Sequence, residues 1–248
     1  MKKLLIRLKK EIKDEEGNIL KIIPQEKRII NTNQDLHTKL YKIPKEMLQK
    51  ESFELNKHSY IVLELTEHEK INSFKRGAQI ISPKDAGIII TKTGINKNTH
   101  VLDAGAGTGS LAATLSLFCK VTTIEKLESH IKTAKKNLEE YKNVKLIKGD
   151  IYEIDLKEKF DVMTLDVPDP QKALKTAKKH IKKGGFLVTY CPQITQSKKV
   201  IEKLPKEFLH FETIEMIQRN WKITKKLTRP QTSDFQHTAF LSFFRKIK

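Results

Sequence analysis

The sequence predicts an α/β protein. Its main part is an open, Rossmann-like sheet, parallel through most of its width and ending in a C-terminal antiparallel hairpin, and a small β-rich N-terminal domain precedes it. Three observations predict this. An apolar strand runs straight into the glycine-rich turn Asp103-Ala-Gly-Ala-Gly-Thr-Gly109. From there, strand-length apolar runs alternate with helix-length amphipathic segments, a pattern that builds a parallel sheet covered on both faces. The last two apolar runs, 211–217 and 237–244, have no crossover helix between them and so should pair antiparallel.

Residues 1–72 alternate apolar and polar in short runs, at 4–8, 19–23 and 60–65, punctuated by Gly17-Asn18, Pro24 and Pro44. This is the pattern of half-buried strands separated by turns, and it defines the first domain. The pattern changes near 70–80, and at Ser82-Pro-Lys-Asp85 an apolar helical stretch begins, carrying Ala86 to Ile90. Residues 73–248 form the second domain. Strands are expected at 101–104, 121–125, 145–150, 160–166 and 186–190, with helices from Ser110, at 129–141, 171–182 and 196–204.

Composition limits the function classes. Forty-eight Lys and Arg against 30 Asp and Glu leave a net charge of +18, spread along the chain instead of gathered in a tail. A polyanion is the simplest partner for such a surface, because phosphate binding releases counterions. Cys119 and Cys191 are too few for a disulfide framework and lack metal-site spacing, which fits a reducing cytoplasm. Arg7, Lys9 and Lys10 interrupt the apolar start before a signal-peptide core forms, and no run approaches the ~20 apolar residues of a membrane helix, so neither export nor a membrane is expected. The eight histidines show no metal-ligand spacing.

The glycine turn narrows the ligand. Gly105, Gly107 and Gly109 let the backbone turn sharply and approach a bound group, and a helix starting at Ser110 and Leu111 would aim N–H groups at it. A dinucleotide fingerprint places its third glycine three residues after the second. Here it comes two later and Ser110 holds that position, which favours S-adenosylmethionine over NAD.

Ligands of open α/β sheets sit outside the carboxyl ends of the strands, and each of those ends carries an acid. Glu125 closes the second strand, where it can accept from both ribose hydroxyls. His130, five residues on, reaches toward the same ribose or adenine. Asp150 closes the third strand and can take an adenine amino proton, with Ile151 against the ring face. Asp166 closes the fourth, inside Leu165-Asp-Val-Pro-Asp-Pro170, where methyl donor and acceptor should meet. Asp103 organises the loop and faces the methionine amino group. Thr108 and Leu111 belong to the same loop.

The acceptor atom decides what Asp166 must do. Adenine N1 attacks with a ring lone pair, so no base is needed first. A carboxylate accepting from the exocyclic amine would orient the ring and stabilise the cation that forms. Methylation on the exocyclic amine typically uses an Asn or Asp, Pro, Pro, aromatic sequence. Asp166-Val-Pro-Asp169 lacks the aromatic. Carbon methylation needs a thiol nucleophile, and Cys191 before Pro192 reads more simply as a buried structural residue.

With these residues in place, nearly all 248 positions resemble the tRNA (adenine-N1)-methyltransferases, which modify the T-loop at position 58 and in some archaeal members also at 57. The resemblance is carried by Gln79-Ile-Ile-Ser-Pro-Lys-Asp85, the glycine loop through Leu111, Glu125 with His130, and Asp166-Val-Pro-Asp-Pro170. It continues through Tyr190-Cys-Pro-Gln-Ile-Thr-Gln196, Trp221, Arg229-Pro230 and His237-Thr-Ala-Phe-Leu241. It implies a class I S-adenosylmethionine-dependent methyltransferase with Asp166 as the catalytic residue, a tRNA substrate and a homotetramer. The chain departs from the family at Ser82, often tyrosine, at Gln171, often tryptophan, and at Gln236, often glycine. These departures read as tuning of the RNA side. Two other readings stay open: a class I methyltransferase acting on a small molecule such as a corrin precursor or on a protein isoaspartate, and a noncatalytic RNA-binding subunit.

Overall fold

The computed structural model describes residues 1–39, 41–75, 80–224, 227–232 and 237–248. The chain divides into two compact units, Met1–Ser73 and Phe74–Lys248.

In chain order the strands of the first unit are β1 (Lys2–Arg7), β2 (Lys10–Lys13), β3 (Ile19–Ile23), β4 (Glu26–Asn31), β5 (Leu36–His37), β6 (Lys42–Ile43), β7 (Ser52–Leu55) and β8 (His58–Glu64). Four of them form an antiparallel sheet in the order β4-β1-β8-β7, while β2–β3 and β5–β6 are separate ribbons. Asn56 and Lys57 join β7 to β8 with positive φ at both positions, the geometry that matches strand twist in a two-residue hairpin. Leu5, Ile30, Ile43, Leu48, Tyr60 and Val62 form the core of this unit. Helix α1 (Glu67–Asn72) closes it, started by a capping box in which the Thr66 hydroxyl accepts from Glu69 N and the Glu69 carboxylate accepts from Thr66 N.

The second unit begins with α2 (Pro83–Thr93). Ser82 caps it, Pro83 sits where a missing N–H is harmless, and Gly94 ends it in the left-handed conformation. There follow β9 (His100–Ala104), α3 (Ser110–Ser116), β10 (Lys120–Glu125), α4 (Glu128–Asn137), β11 (Val144–Lys148) and β12 (Phe160–Leu165). A 3-10 turn over Pro170–Ala173 leads into α5 (Leu174–His180), β13 (Ile181–Cys191) and α6 (Ile194–Glu202). The chain ends with β14 (Phe208–Glu215), β15 (Trp221–Ile223), β16 (Thr228–Pro230) and β17 (Phe240–Lys246).

Seven of these strands make one sheet in the order β11-β10-β9-β12-β13-β17-β14. The first five are parallel, and β17 runs antiparallel to β13 and β14. The predicted class therefore holds. The central strands are buried on both faces, and Leu102, Ala104, Ile124, Met163, Leu165, Leu187 and Phe244 belong to one apolar core. The strand order reverses between β9 and β12, which opens a crevice at their carboxyl ends. Among the described residues no helix is long and apolar enough to cross a membrane.

Several bounds differ from expectation: the helix expected at 129–141 ends at Asn137, and the strands expected at 211–217 and 237–244 run Phe208–Glu215 and Phe240–Lys246. The helix expected to reach Lys182 ends at His180, and the following strand starts at Ile181 instead of Phe186. Pairing with β12 is irregular there, passing from Phe160↔Ile181 to Val162↔Phe186. Gly184, with φ of +80°, and Gly185, where a Cβ would lie 2.5 Å from the Asp161 carbonyl oxygen, allow the chain to bulge within the strand. The edge hairpin also carries an extra two-stranded ribbon, β15–β16, between its arms.

Candidate active site

The geometry follows from strand register. Asp103 on β9 is paired with Thr123 on one side and Thr164 on the other, so three side chains share one face of the sheet. Both hydroxyls donate to the Asp103 carboxylate, at 2.7 Å each. Two residues on, the chain turns at Gly105, with φ of +86°. A Cβ there would lie 2.0 Å from the Asp166 carbonyl oxygen, so only glycine lets the loop pass the end of β12. Asp166 N donates to Ala104 O at 2.9 Å, and this bond fixes the two strand ends side by side.

Across the crevice Glu125, buried at the end of β10, gathers the loop. Its carboxylate accepts from the N–H groups of Gly107, Lys126 and Leu127, each at 2.9 Å. His130 Nδ1 lies 3.7 Å from the same carboxylate. Asp150 accepts from Lys126 Nζ at 2.7 Å and from Tyr152 N at 3.0 Å, and these two bonds hold its carboxyl below the usual range. The Thr108 and Ser110 hydroxyls are hydrogen-bonded at 2.8 Å.

These groups surround one cleft of about 580 Å³, within the range of small-molecule sites, about 300–1,000 Å³. Gly105, Gly107, Thr108, Ser110, Leu111, Glu125, His130, Asp150, Ile151 and Asp166 all line it. Asp103 and Gly109 do not. Asp103 lies beneath the loop, held by its two threonines. Gly109 packs so closely that a Cβ would sit 2.8 Å from the Leu138 side chain.

Electrostatics set the two buried carboxyls apart. Burial, opposed by the two threonine hydrogen bonds and aided by Glu125, pushes Asp103 up to about 6. Burial and the nearby Asp103 charge push Asp166 up to about 7. Near neutral pH the Asp166 carboxyl therefore changes charge readily, in a wall that faces the cleft. Cys191 is buried and its thiol is pushed up by that burial, which leaves it no character of a nucleophile.

Several residues have structural roles that the sequence did not disclose. Tyr152 lines the cleft, and its hydroxyl accepts from Asp169 N at 3.2 Å, tying the adenine-side wall to the Asp166 segment. Lys126 pairs with Asp150. Gln196 reaches from α6 to the Pro168 carbonyl at 3.0 Å. Lys84 donates to Asp85 (2.8 Å), to Met216 O (2.6 Å) and to Thr238 Oγ1 (2.6 Å), while Thr238 and Ser82 donate to the buried Asp85 carboxylate. The Pro-Lys-Asp and His-Thr motifs are thus two halves of one network, and nothing local in either segment signals the other. His237 adds to it by bonding Glu215 at 2.5 Å and donating to Pro192 O at 2.9 Å. Ser82 serves as the cap of α2. Gln79 and Gln236 lie outside the described residues.

Comparison with known proteins agrees with this geometry. A family model described as tRNA methyltransferase complex GCD14 subunit matches residues 57–240. The tRNA (adenine(57)-N(1)/adenine(58)-N(1))-methyltransferase TrmI of Methanocaldococcus jannaschii is 34% identical over 223 residues, which cover 76% of this chain and 79% of that protein. The crystal structure of tRNA (m1A58) methyltransferase TrmI from Aquifex aeolicus superposes with a TM-score of 0.80 at 30% identity, over 99% of this chain and 97% of that one. A SAM-dependent O-methyltransferase from Thermotoga maritima gives 0.82 at 26% identity, over 99% of this chain and 93% of that one. With most of its length matched by that family model, the chain belongs to the family of the tRNA methyltransferase complex GCD14 subunit.

Proposed function

We propose that this protein transfers a methyl group from S-adenosylmethionine to N1 of adenine in the T-loop of tRNA, at position 58. Position 57 is the second candidate, since the Methanocaldococcus relative is named for both. The observation that carries this reading is Asp166, a carboxyl pushed up to about 7, in the wall of the same cleft as Glu125 and Asp150.

The residues present suit the cofactor. The turn at Gly105 brings backbone close to the cleft where a Cβ has no room; Glu125 would offer carboxylate oxygens to ribose hydroxyls, Asp150 would accept from the adenine amine, and the buried Ile151 would give an apolar ring contact. When bound, S-adenosylmethionine supplies an electrophilic methyl group. Asp166 then accepts from the exocyclic amine of the target adenine, orients N1, and stabilises the positive charge that the ring acquires. The target base must leave the folded T-loop to reach the strand ends. Asp103, held by Thr123 and Thr164, keeps the loop and the Asp166 segment in register.

A homotetramer in the cytoplasm belongs to the same proposal. It is supported by the two free cysteines, both buried, and by the resemblance of the whole chain. The test is transfer of tritium from labelled S-adenosylmethionine to unmodified tRNA, to protein and to small-molecule extracts. Label in tRNA is expected. Label only in protein or in small molecules would replace this reading with that of a methyltransferase for those substrates, and label in none of the three with that of a noncatalytic subunit.

A further inference from the structure

The first unit has a recess of its own, of about 400 Å³. Arg7, Arg28 and Lys39 line it against a single acid, Glu26, together with Tyr41 and Tyr60. Glu26 is divided between the two arginines: one oxygen is 3.2 Å from Arg7 Nη2 and the other accepts from Arg28 Nε at 2.6 Å. One carboxylate therefore answers three cations. Arg7 Nε is buried without a hydrogen-bond partner. Burial, followed by the Arg7 and Lys10 charges, holds His58 below its usual range.

The aromatic side of the recess is fixed in advance. Tyr60 stacks on Phe53 with ring centroids 4.9 Å apart and planes 12° from parallel, and its hydroxyl is hydrogen-bonded to that of Tyr41. Tyr60 is buried in the core and anchors the half-buried Tyr41, the ring left beside the arginines; single-stranded nucleic acid binds such a pairing, a ring taking a base and guanidiniums taking phosphate oxygens. The volume lies within the range of ligand pockets.

We propose that this recess holds one phosphate-bearing nucleotide of the tRNA, in an unpaired stretch, with the base against Tyr41 and the phosphate on Arg7, Arg28 and Lys39. The proposal rests on the RNA substrate argued above and adds a second, noncatalytic contact on the first unit.

The test uses the full chain carrying Arg28→Ala and Lys39→Ala together. Binding of unmodified tRNA is followed from 50 to 300 mM salt, with the circular dichroism spectrum and S-adenosylmethionine affinity as the checks that both units are folded. In parallel, tRNA bearing 4-thiouridine is irradiated on the wild-type protein and the crosslinked peptides are mapped. The double variant is expected to lose about 0.7–0.9 from the magnitude of the log–log salt slope for each phosphate contact removed, with cofactor affinity unchanged, and crosslinks should map to the peptide carrying Tyr41. An unchanged salt slope in the folded variant, or crosslinks that avoid that peptide, would overturn the proposal. If the variant does not fold, the crosslink map alone decides. A wild-type protein that neither binds nor methylates tRNA would overturn the RNA reading itself, a failure distinct from methylation of tRNA without engagement of the recess.

Discussion

Asp166 lies close enough to the buried Asp103 to feel its charge, and that arrangement has opposite consequences for stability and for chemistry. A carboxyl held up to about 7 keeps its proton in the folded state between its unfolded value of 3.8 and 7. Folding is then progressively disfavoured as pH rises through that window, and the deficit is constant above it. Asp166→Asn is expected to raise the melting temperature at pH 8, by ~2–4 °C per kcal/mol recovered in a chain of this size, and to do so less at pH 5. Thermal melts at the two pH values check this. For activity the sign reverses, because the ionised carboxylate is the stronger acceptor from the exocyclic amine and alone offsets the charge on the methylated ring. The profile of kcat/KM should rise through an acid limb at or below about 7, and Asp103→Asn should move that limb downward. Glu125→Ala acts elsewhere. Loss of an acceptor for ribose hydroxyls should weaken cofactor binding by about tenfold or more, at ~1.5–3 kcal/mol for each charged hydrogen bond, as calorimetry would measure. At this scale much of the site was legible, because Glu125, Asp150 and Asp166 each fall within two residues of a strand's carboxyl end. The threonine partners of Asp103 were not, since register between strands far apart in sequence is set by tertiary packing.

Two glycines with nearly the same backbone conformation separate the effects that act on an element. Gly105 and Gly184 both have positive φ, +86° and +80°, but a Cβ at Gly105 meets the Asp166 backbone, whereas at Gly184 nothing lies within 4 Å. Gly184→Ala should cost only the ~1–2 kcal/mol of a left-handed L-residue. Gly105→Ala adds a clash that must displace β9 from β12, for roughly 2–6 kcal/mol in total, with loss of cofactor binding. Chemical denaturation of the two variants checks the difference. The glycine turn and the strands of the parallel half were plain in the sequence because buried strands are short, continuous and apolar. The end of α5 was harder to see. Lys182 and Lys183 continue a helical pattern, and only pairing with β12 draws Ile181 into the sheet. The β15–β16 ribbon was unreadable for a related reason: Trp221, Ile223 and Leu227 are exposed, so no buried face imposes a period on them.

For the whole molecule the excess of 18 positive charges is the property most evident from sequence and the least specific about place. It makes the proposed binding to tRNA a counterion-release process. Association should weaken by ~10³-fold or more between 50 and 200 mM salt if six or more phosphates are engaged, and filter binding across that range would show it. Affinity for S-adenosylmethionine, governed by the cleft of the second unit, should change little over the same range. The account as a whole asserts a reaction at one atom of one base. Its most direct test is mass spectrometry of an unmodified tRNA transcript after incubation with the protein and S-adenosylmethionine, mapping both base and position. The account predicts 1-methyladenosine at position 58, alone or with 57, and its loss with Asp166→Ala. A methyl group on another atom or base, or an undiminished yield from the Asp166→Ala protein, would contradict it.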